Sequence, residues 1–427
     1  MRRIALAVSL LAACGGTATS SSSSTSSGAG GVATGSGGET GAGGNGTTAT
    51  SAGTGGNATT TTTTGAGGQG GASTTTTTSG AGGAGGQGGA STTTTTTGAG
   101  GSPPIPCGGS CPAGYVCGSA NGLEVCRAPS GIPLFSSVTV IVMENTTLST
   151  LQAAMNANAA PNLKSMAATY ATGSNYHGVA HPSLPNYIAL TSGDTQGISC
   201  DCKAQQNQGS CNIVTCNLLL GTCSCSKPAT SIADQLEAAQ LSWRAFGEAM
   251  GAPCKLSDAG TYAVRHIPFL YYDGIQGDAA RCNAHVLDLA AFDPSAPSKF
   301  NFIAPDLVHD MHDPFPAFQQ NITNGDMWIG PEVGSIVSTA AFQKGGLLVV
   351  VWDEDDASGG IGGTDDPIEI IVISPYARSG GYVSAPKANH YSLLATFEDG
   401  LDLPRLGNAG AAHPGIADTL ADYFPPN

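Results

Sequence analysis

Between Gly15 and Pro106 the chain has one charged residue, Glu39, and almost everything else is Gly, Ala, Ser or Thr. No other feature constrains the fold as much. Ordering a backbone costs roughly 1–2 kcal/mol per residue, and this stretch has too little apolar surface to offset that cost. Its Gly follows no strict three-residue period, which excludes a collagen-like helix. Thr runs at Thr59–Thr64, Thr74–Thr78 and Thr92–Thr97 alternate with Gly-rich blocks such as Gly65 to Ala72. Repeats this short do not make a solenoid. They read as a disordered, low-complexity tether over residues 14–106, with an r.m.s. reach on the order of 50 Å. An adhesive or glycosylated stalk is the alternative. A folded domain must come from the residues that follow.

The leader has its own pattern. Met1-Arg2-Arg3 is basic, and Ile4 to Ala13 is apolar. That run is shorter than the roughly 20 residues needed to cross a bilayer, and has the length of a secretory h-region. Leu11-Ala12-Ala13-Cys14-Gly15 resembles the lipobox of bacterial lipoproteins. The reading is a signal peptide over residues 1–13, lipidation at Cys14, export and a membrane anchor at the cell envelope. Each buried CH₂ of the acyl chains would contribute about 0.8 kcal/mol. An ordinary signal peptide with a chance Cys remains the alternative.

The 427 residues include 15 Lys and Arg against 30 Asp and Glu, a net charge of −15, with no basic run. A nucleic-acid binder driven by charge is therefore excluded. Setting Cys14 aside leaves 12 of the 13 Cys, an even number suited to an exported, disulfide-bonded protein. Cys107, Cys111, Cys117 and Cys126 form a small module over residues 107–126. Their spacing fits paired zinc ligands poorly and favours two disulfides. The other eight, Cys200 to Cys282, read as a Cys-rich insertion over residues 200–282.

The main domain is placed at residues 131–427. Ser137 to Met143 is a β-branched run suited to a buried strand, and it stops at Glu144-Asn145. Leu347 to Trp352 is a second, ending in Asp353-Glu354-Asp355-Asp356. Ile368 to Ile373 is a third. Ser231, with Asp234 three residues on, marks a helix start. Strands separated by helix patterns indicate a layered α/β fold. In such sheets functional groups collect beyond the carboxyl ends of the strands. Four adjacent acids repel one another unless they are solvated or hold a cation.

Histidines gather in a few segments. His177, His181 and Ser183 lie in a Pro-flanked stretch that ends at Asn186-Tyr187, with no Gly-x-Ser-x-Gly elbow. Asp306 to Asp313 holds His309 and His312 with three Asp. Arg265-His266 and Asn389-His390 follow the same theme. Carboxylates, a hydroxyl and several His are the parts of a metal-assisted phosphoryl-transfer site.

These motifs together resemble the bacterial phosphoesterase family of acid phosphatases and phospholipases C, within the alkaline-phosphatase-like superfamily. The carriers are Val140 to Asn145, His181 to Tyr187, Tyr262 to Pro268, Asp310 to Asp313, Val351 to Glu354 and Asn389 to Leu394, in the family's order. The form His181-Pro182-Ser183-Leu184-Pro185-Asn186-Tyr187 is most similar to the acid phosphatase branch. The resemblance implies a three-layer α/β/α sandwich and a divalent cation held by Glu144, Asn145, Asp353 and Glu354. It implies Ser183 as nucleophile and Asn186 on a phosphoryl oxygen. It implies His266, His312 and His390 at the phosphoryl or leaving group, with His181 supporting the loop and Arg265 as a phosphate clamp. The substrate would be a small-molecule or lipid phosphomonoester, phosphoinositides included. The phospholipase C branch tends to carry Asp-His after its Asp-Glu element, whereas this chain has Gly362 to Pro367, which counts against a diesterase. The rivals are that diesterase and a non-catalytic surface lipoprotein.

Overall fold

The computed structural model describes residues 107–108, 110–205, 211, 223–312, 321–356 and 365–426. The leader, Cys14, the tether and Gly362 to Thr364 lie outside these residues. No helix among the described residues is long and apolar enough to cross a membrane.

The first element is a hairpin of β1 (Val116–Ala120) and β2 (Leu123–Arg127), paired antiparallel. Disulfides Cys107–Cys117 and Cys111–Cys126 close it, so these four cysteines are cross-links and the zinc alternative falls away. The hairpin is stitched to the main domain. Arg127 Nη2 donates to Pro425 O at 2.7 Å, and Asn121 Nδ2 donates to Ala377 O at 2.6 Å.

The core is a mixed sheet of eight strands. They are β3 (Val138–Met143), β4 (Ala171–Gly173), β5 (Trp243–Gly247), β6 (Val286–Asp288), β7 (Phe300–Ala304), β8 (Leu347–Trp352), β9 (Ile370–Ile373) and β10 (Val383–Ser384). Their order is β10-β4-β9-β8-β3-β7-β5-β6. The middle strands β8, β3, β7 and β5 run parallel, whereas β9 is antiparallel to β8. Every residue of β3, β7 and β8 is buried, as expected of parallel strands covered on both faces. Each buried Val, Leu or Ile contributes about 1.5–3 kcal/mol.

Helices fall into two packed groups. One holds α1 (Leu148–Asn156), α2 (Pro161–Thr169) and α5 (Asn321–Val337). The other holds α3 (Ser183–Ser192), α4 (Ile232–Ala238) and α6 (His390–Gly400). This is the layered α/β fold expected from the strand and helix patterns. The expected start of α4 carries a capping box in which Ser231 N donates to Asp234 Oδ2 at 2.7 Å. Helix α3 ends at Gly193, whose φ of 75° is left-handed; a Cβ there would lie 2.2 Å from Leu406 O.

The expected insertion over residues 200–282 is corrected. β5 is an inner strand of the sheet, so residues from Ser231 onward belong to the core. Only a shorter excursion leaves it. There Lys203–Ala204 pairs with Ser224–Cys225, and disulfide Cys202–Cys225 staples the pair. Cys254–Cys282 ties the region around β5 and β6 instead.

Candidate active site

Register sets the site. Met143 of β3 lies beside Trp352 of β8, so Glu144-Asn145 and Asp353-Glu354 leave adjacent parallel strands side by side. Asp353 N donates to Met143 O, and Asn145 N donates back to Asp353 Oδ1, both at 3.0 Å. Asn145 Nδ2 donates to Glu354 Oε1 at 2.9 Å. Two sequence segments more than 200 residues apart thus form one corner.

Ser183 is brought to that corner at the first turn of α3. Its Oγ donates to Glu144 Oε2 at 2.9 Å and lies 3.2 Å from both Asn145 Oδ1 and Glu354 Oε1. The approach of the preceding loop depends on Gly178, where a Cβ would lie 2.9 Å from Asp353 O. Tyr187 OH, one turn along α3, donates to Glu144 Oε1 at 2.5 Å.

Glu144, Asp353, Glu354 and Asp310 are all at most 1% exposed. Burial raises the pKa of each; repulsion from Glu144 adds to the rise at Asp353, Glu354 and Asp310, while Arg265 and His312 oppose it at Glu144. Glu354 is pushed up to about 7, against the opposing pull of His181. Asp353 Oδ2 and Asp310 Oδ2 have no hydrogen-bond partner. Hard, buried and partly unsatisfied oxygen donors are the donor set that fits a divalent cation. The expected ligands Glu144, Asn145, Asp353 and Glu354 therefore suit the group. A second cluster able to hold a metal is Glu248, Asp306 and His309, at the ends of β5 and β7.

The remaining expected residues divide. His181 bridges the acids, with Nδ1 2.6 Å from Glu354 Oε2 and Nε2 3.0 Å from Asp355 Oδ1. His266 is buried against the Tyr187 ring, its Nε2 3.2 Å from Glu144 Oε1, and burial lowers its pKa. Neither of its ring nitrogens makes a hydrogen bond. Arg265 pairs with Asp201 at 3.8 Å; burial works against its charge, but Glu144, Asp201, Asp258 and Asp310 outweigh it. His312 acts electrostatically on Glu144.

Two residues stand differently from expectation. The Asn186 amide is engaged with its own loop: Oδ1 accepts from Val179 N and Ala180 N at 2.8 and 3.0 Å, and Nδ2 donates to Ala180 O at 2.8 Å. It holds the loop in place rather than presenting a free donor to phosphate. His390 has both ring nitrogens engaged, Nδ1 with Tyr176 OH at 3.0 Å and Nε2 with Asp353 O at 2.5 Å. Burial lowers its pKa to about 4. It props the Asp353 corner as a neutral ring with both nitrogens engaged.

Residues missed in the sequence include Asp310, Tyr187 and Asp201. The first two sit inside quoted motifs, which was the available signal. Asp201 lies between two cysteines and gave none. Beside the corner is a cavity of about 230 Å³ lined by Gly178, Val179, Ala180, His181, Asp355, Asp365 and Asp366. His177 Nδ1 reaches Asp365 Oδ1 at 2.8 Å, so this carboxylate, inside the stretch Gly362 to Pro367, is paired with a histidine.

The chain as a whole has relatives among known proteins. The profile of the phosphoesterase family matches residues 141–404. The chain belongs to that family. A phosphatidylinositol-3-phosphatase of Mycobacterium tuberculosis is 28% identical over 306 residues, covering 70% of this chain and 87% of that protein. An acid phosphatase of Aspergillus fumigatus is 25% identical over 266 residues, covering 59% of this chain. The chain spans about half (53%) of the length of that fungal relative. A solved alkaline phosphatase superfamily protein from Vibrio parahaemolyticus superposes with a TM-score of 0.43 at 9% identity, covering 68% of this chain and 73% of its own. As a member of the phosphoesterase family, the protein is a hydrolase of phosphoric esters, with residues suited to a divalent cation of unspecified identity.

Proposed function

We propose that the protein is an acid-phosphatase-like phosphomonoesterase that works through a phosphoserine at Ser183. The observation that carries this reading is the position of Ser183 Oγ, hydrogen-bonded to Glu144 and within 3.2 Å of Asn145 and Glu354. A divalent cation held by Glu144, Asn145, Asp353 and Glu354 would neutralise phosphoryl oxygens and favour the Ser183 alkoxide.

The residues of the chain supply the rest. Glu144 orients the Ser183 hydroxyl and Tyr187 in turn orients Glu144. Ser183 Oγ passes its proton along its hydrogen bond to Glu144 and forms a bond to phosphorus as the bond to the departing alcohol breaks in line. The alcohol leaves with a proton from His312. Water then cleaves the phosphoserine, releasing inorganic phosphate and the free hydroxyl. Arg265 faces the phosphoryl oxygens as a charge-assisted donor. The N-terminal end of α3 adds a partial positive charge at Ser183.

Two features support a lipid phosphomonoester among the substrates: similarity to a phosphatidylinositol-3-phosphatase and the lipobox-like Cys14. In this reading the protein is exported, anchored at the cell envelope by Cys14 and held off the membrane by the tether.

The test is Ser183→Ala assayed on p-nitrophenyl phosphate, a phosphatidylinositol monophosphate and phosphatidylcholine, with acid-quench trapping of labelled phosphoserine. The expected result is loss of turnover by at least about 10³-fold, with label in wild type alone. Full turnover by the variant overturns the nucleophile. Faster wild-type cleavage of the diester overturns the monoesterase reading. Inactivity of the wild type on every ester leaves the surface lipoprotein.

A further inference from the structure

The Cys-stapled excursion is the part of the molecule that neither the sheet nor the family motifs account for. It comes back to the site at one residue. Asp201 sits between Cys200 and Cys202, on the segment stapled by Cys202–Cys225. Its Oδ1 accepts a hydrogen bond at 2.9 Å from the backbone N–H of Leu184, the residue after Ser183. Its Oδ2 lies 3.8 Å from Arg265 Nε. One carboxylate thus touches both the helix turn that carries the hydroxyl and the guanidinium nearest the acid corner. Its side chain is 32% exposed, so it is not a packing residue.

The excursion is also fixed from behind. Tyr271 OH donates to Cys202 O at 2.7 Å, and Lys203 N donates to Cys223 O at 2.9 Å. The Lys203–Ala204 strand packs against Val264–His266, the turn that bears Arg265 and His266. Leu184 N is one of the first amides of α3, which have no partner inside the helix. Without Asp201 that amide loses its acceptor and Arg265 loses the charge that faces it.

We infer that Asp201 is a positioning residue for ester hydrolysis, setting Ser183 through Leu184 N and setting Arg265 by charge, and that the Cys202–Cys225 staple holds Asp201 in place. The inference rests on the reading of Ser183 as nucleophile and Arg265 as phosphate clamp. Its two contacts separate by chemistry. Asp201→Asn keeps an oxygen acceptor for Leu184 N and removes the charge facing Arg265. Asp201→Ala removes both.

The experiment uses the full chain with p-nitrophenyl phosphate as substrate and inorganic phosphate as competitive inhibitor. Asp201→Asn is expected to raise KM and the inhibition constant of phosphate about five- to tenfold, with kcat within about twofold. Asp201→Ala is expected to show that rise and a further fall in kcat of about tenfold, from misplacement of the hydroxyl. Asp201→Glu is expected to recover part of the KM. The double variant Cys202→Ala/Cys225→Ala should resemble Asp201→Ala, and adding it to Asp201→Ala should cost little more, because neighbours acting through one residue are not additive.

Wild-type kinetics in Asp201→Ala overturn the inference. So does an equal fall in kcat for Asn and Ala with KM unchanged, which a merely structural role would give. Additive losses for the staple and Asp201 overturn the coupling. A Ser183→Ala variant with full activity marks failure of the underlying reading instead. A dead Ser183→Ala beside unaffected Asp201 variants marks failure of this inference alone.

Discussion

Two clusters of carboxylate and histidine stand on the same edge of one sheet, and their surroundings are opposite. At the ends of β3 and β8, Glu144, Asp353 and Glu354 are at most 1% exposed and repel one another, and Asp353 Oδ2 has no partner. At the ends of β5 and β7, Glu248 and Asp306 surround His309 Nδ1 at 3.0–3.2 Å, with side chains up to 30% exposed. Asp306 there also accepts from Thr261 at 2.6 Å, and its N–H donates to Glu248. The residue types are alike; the degree of burial and satisfaction is not. Perturbed, unsatisfied buried carboxylates make the first corner the candidate for reaction, while the second cluster is internally paired and partly screened by water.

The largest test of this contrast is a pair of neutralisations. Asp353→Asn is expected to lower kcat/KM by about 10²–10³-fold, and exhaustive chelation of the wild type should do the same. Glu248→Gln is expected to change kcat/KM by less than about twofold. Steady-state kinetics on a phosphomonoester read both. Equal losses would mean that the second cluster belongs to the reaction.

The next concerns how tightly the reactive corner is built. Gly178→Ala places a Cβ 2.9 Å from Asp353 O and must shift the loop before Ser183. A fall in kcat of about tenfold is expected with the circular dichroism spectrum unchanged. Unchanged kcat would show that the loop has slack.

A further buried carboxylate sharpens the comparison from outside the site. Glu398 on α6 is fully buried, and burial raises its pKa from 4.5 to about 8, while its Oε1 accepts from Leu406 N. Below pH 4.5 both folded and unfolded forms are protonated, and the neutral carboxyl is fully stabilising. As pH rises towards 8 the unfolded chain loses its proton first, so stability declines. The contribution is on the order of a few kcal/mol. Glu398→Gln should flatten that slope in denaturant titrations between pH 5 and 8, and an unaltered slope would refute it.

The smallest effect is expected at His309→Ala, a loss of about 1 kcal/mol or less by urea unfolding, with kcat unchanged. A stability loss of several kcal/mol, restored by added divalent metal, would turn the paired cluster into a metal site.

Much of the fold was legible because its signals are local. β3 and β8 are β-branched runs, each long enough to be buried on both faces, and Ser231 with Asp234 is a cap that needs only four residues. The acids ending two buried runs marked the site, and the Pro-flanked stretch marked Ser183. The failures were non-local. The cysteine run from 200 to 282 concealed β5, because a short strand of mixed polarity pairs with β7 only in space. His390 and Asn186 matched motifs, yet their polar atoms are engaged with Tyr176, Asp353 and the loop backbone.

The sequence by itself determined that a low-charge, Gly- and Thr-rich stretch cannot make a core, and its motifs carried the resemblance to phosphoesterases on which the proposed roles of the acids, Ser183 and the His clusters rest. Tertiary structure alone decided which of those groups meet. Adjacent parallel strands with Met143 beside Trp352 bring Glu144 to Asp353 across more than 200 residues. The stapled excursion returns Asp201 to Leu184. Composition and spacing carry propensity and chemical type, but hydrogen-bond partners and burial arise only when distant segments are packed together, and those two quantities separate a reactive carboxylate from a satisfied one.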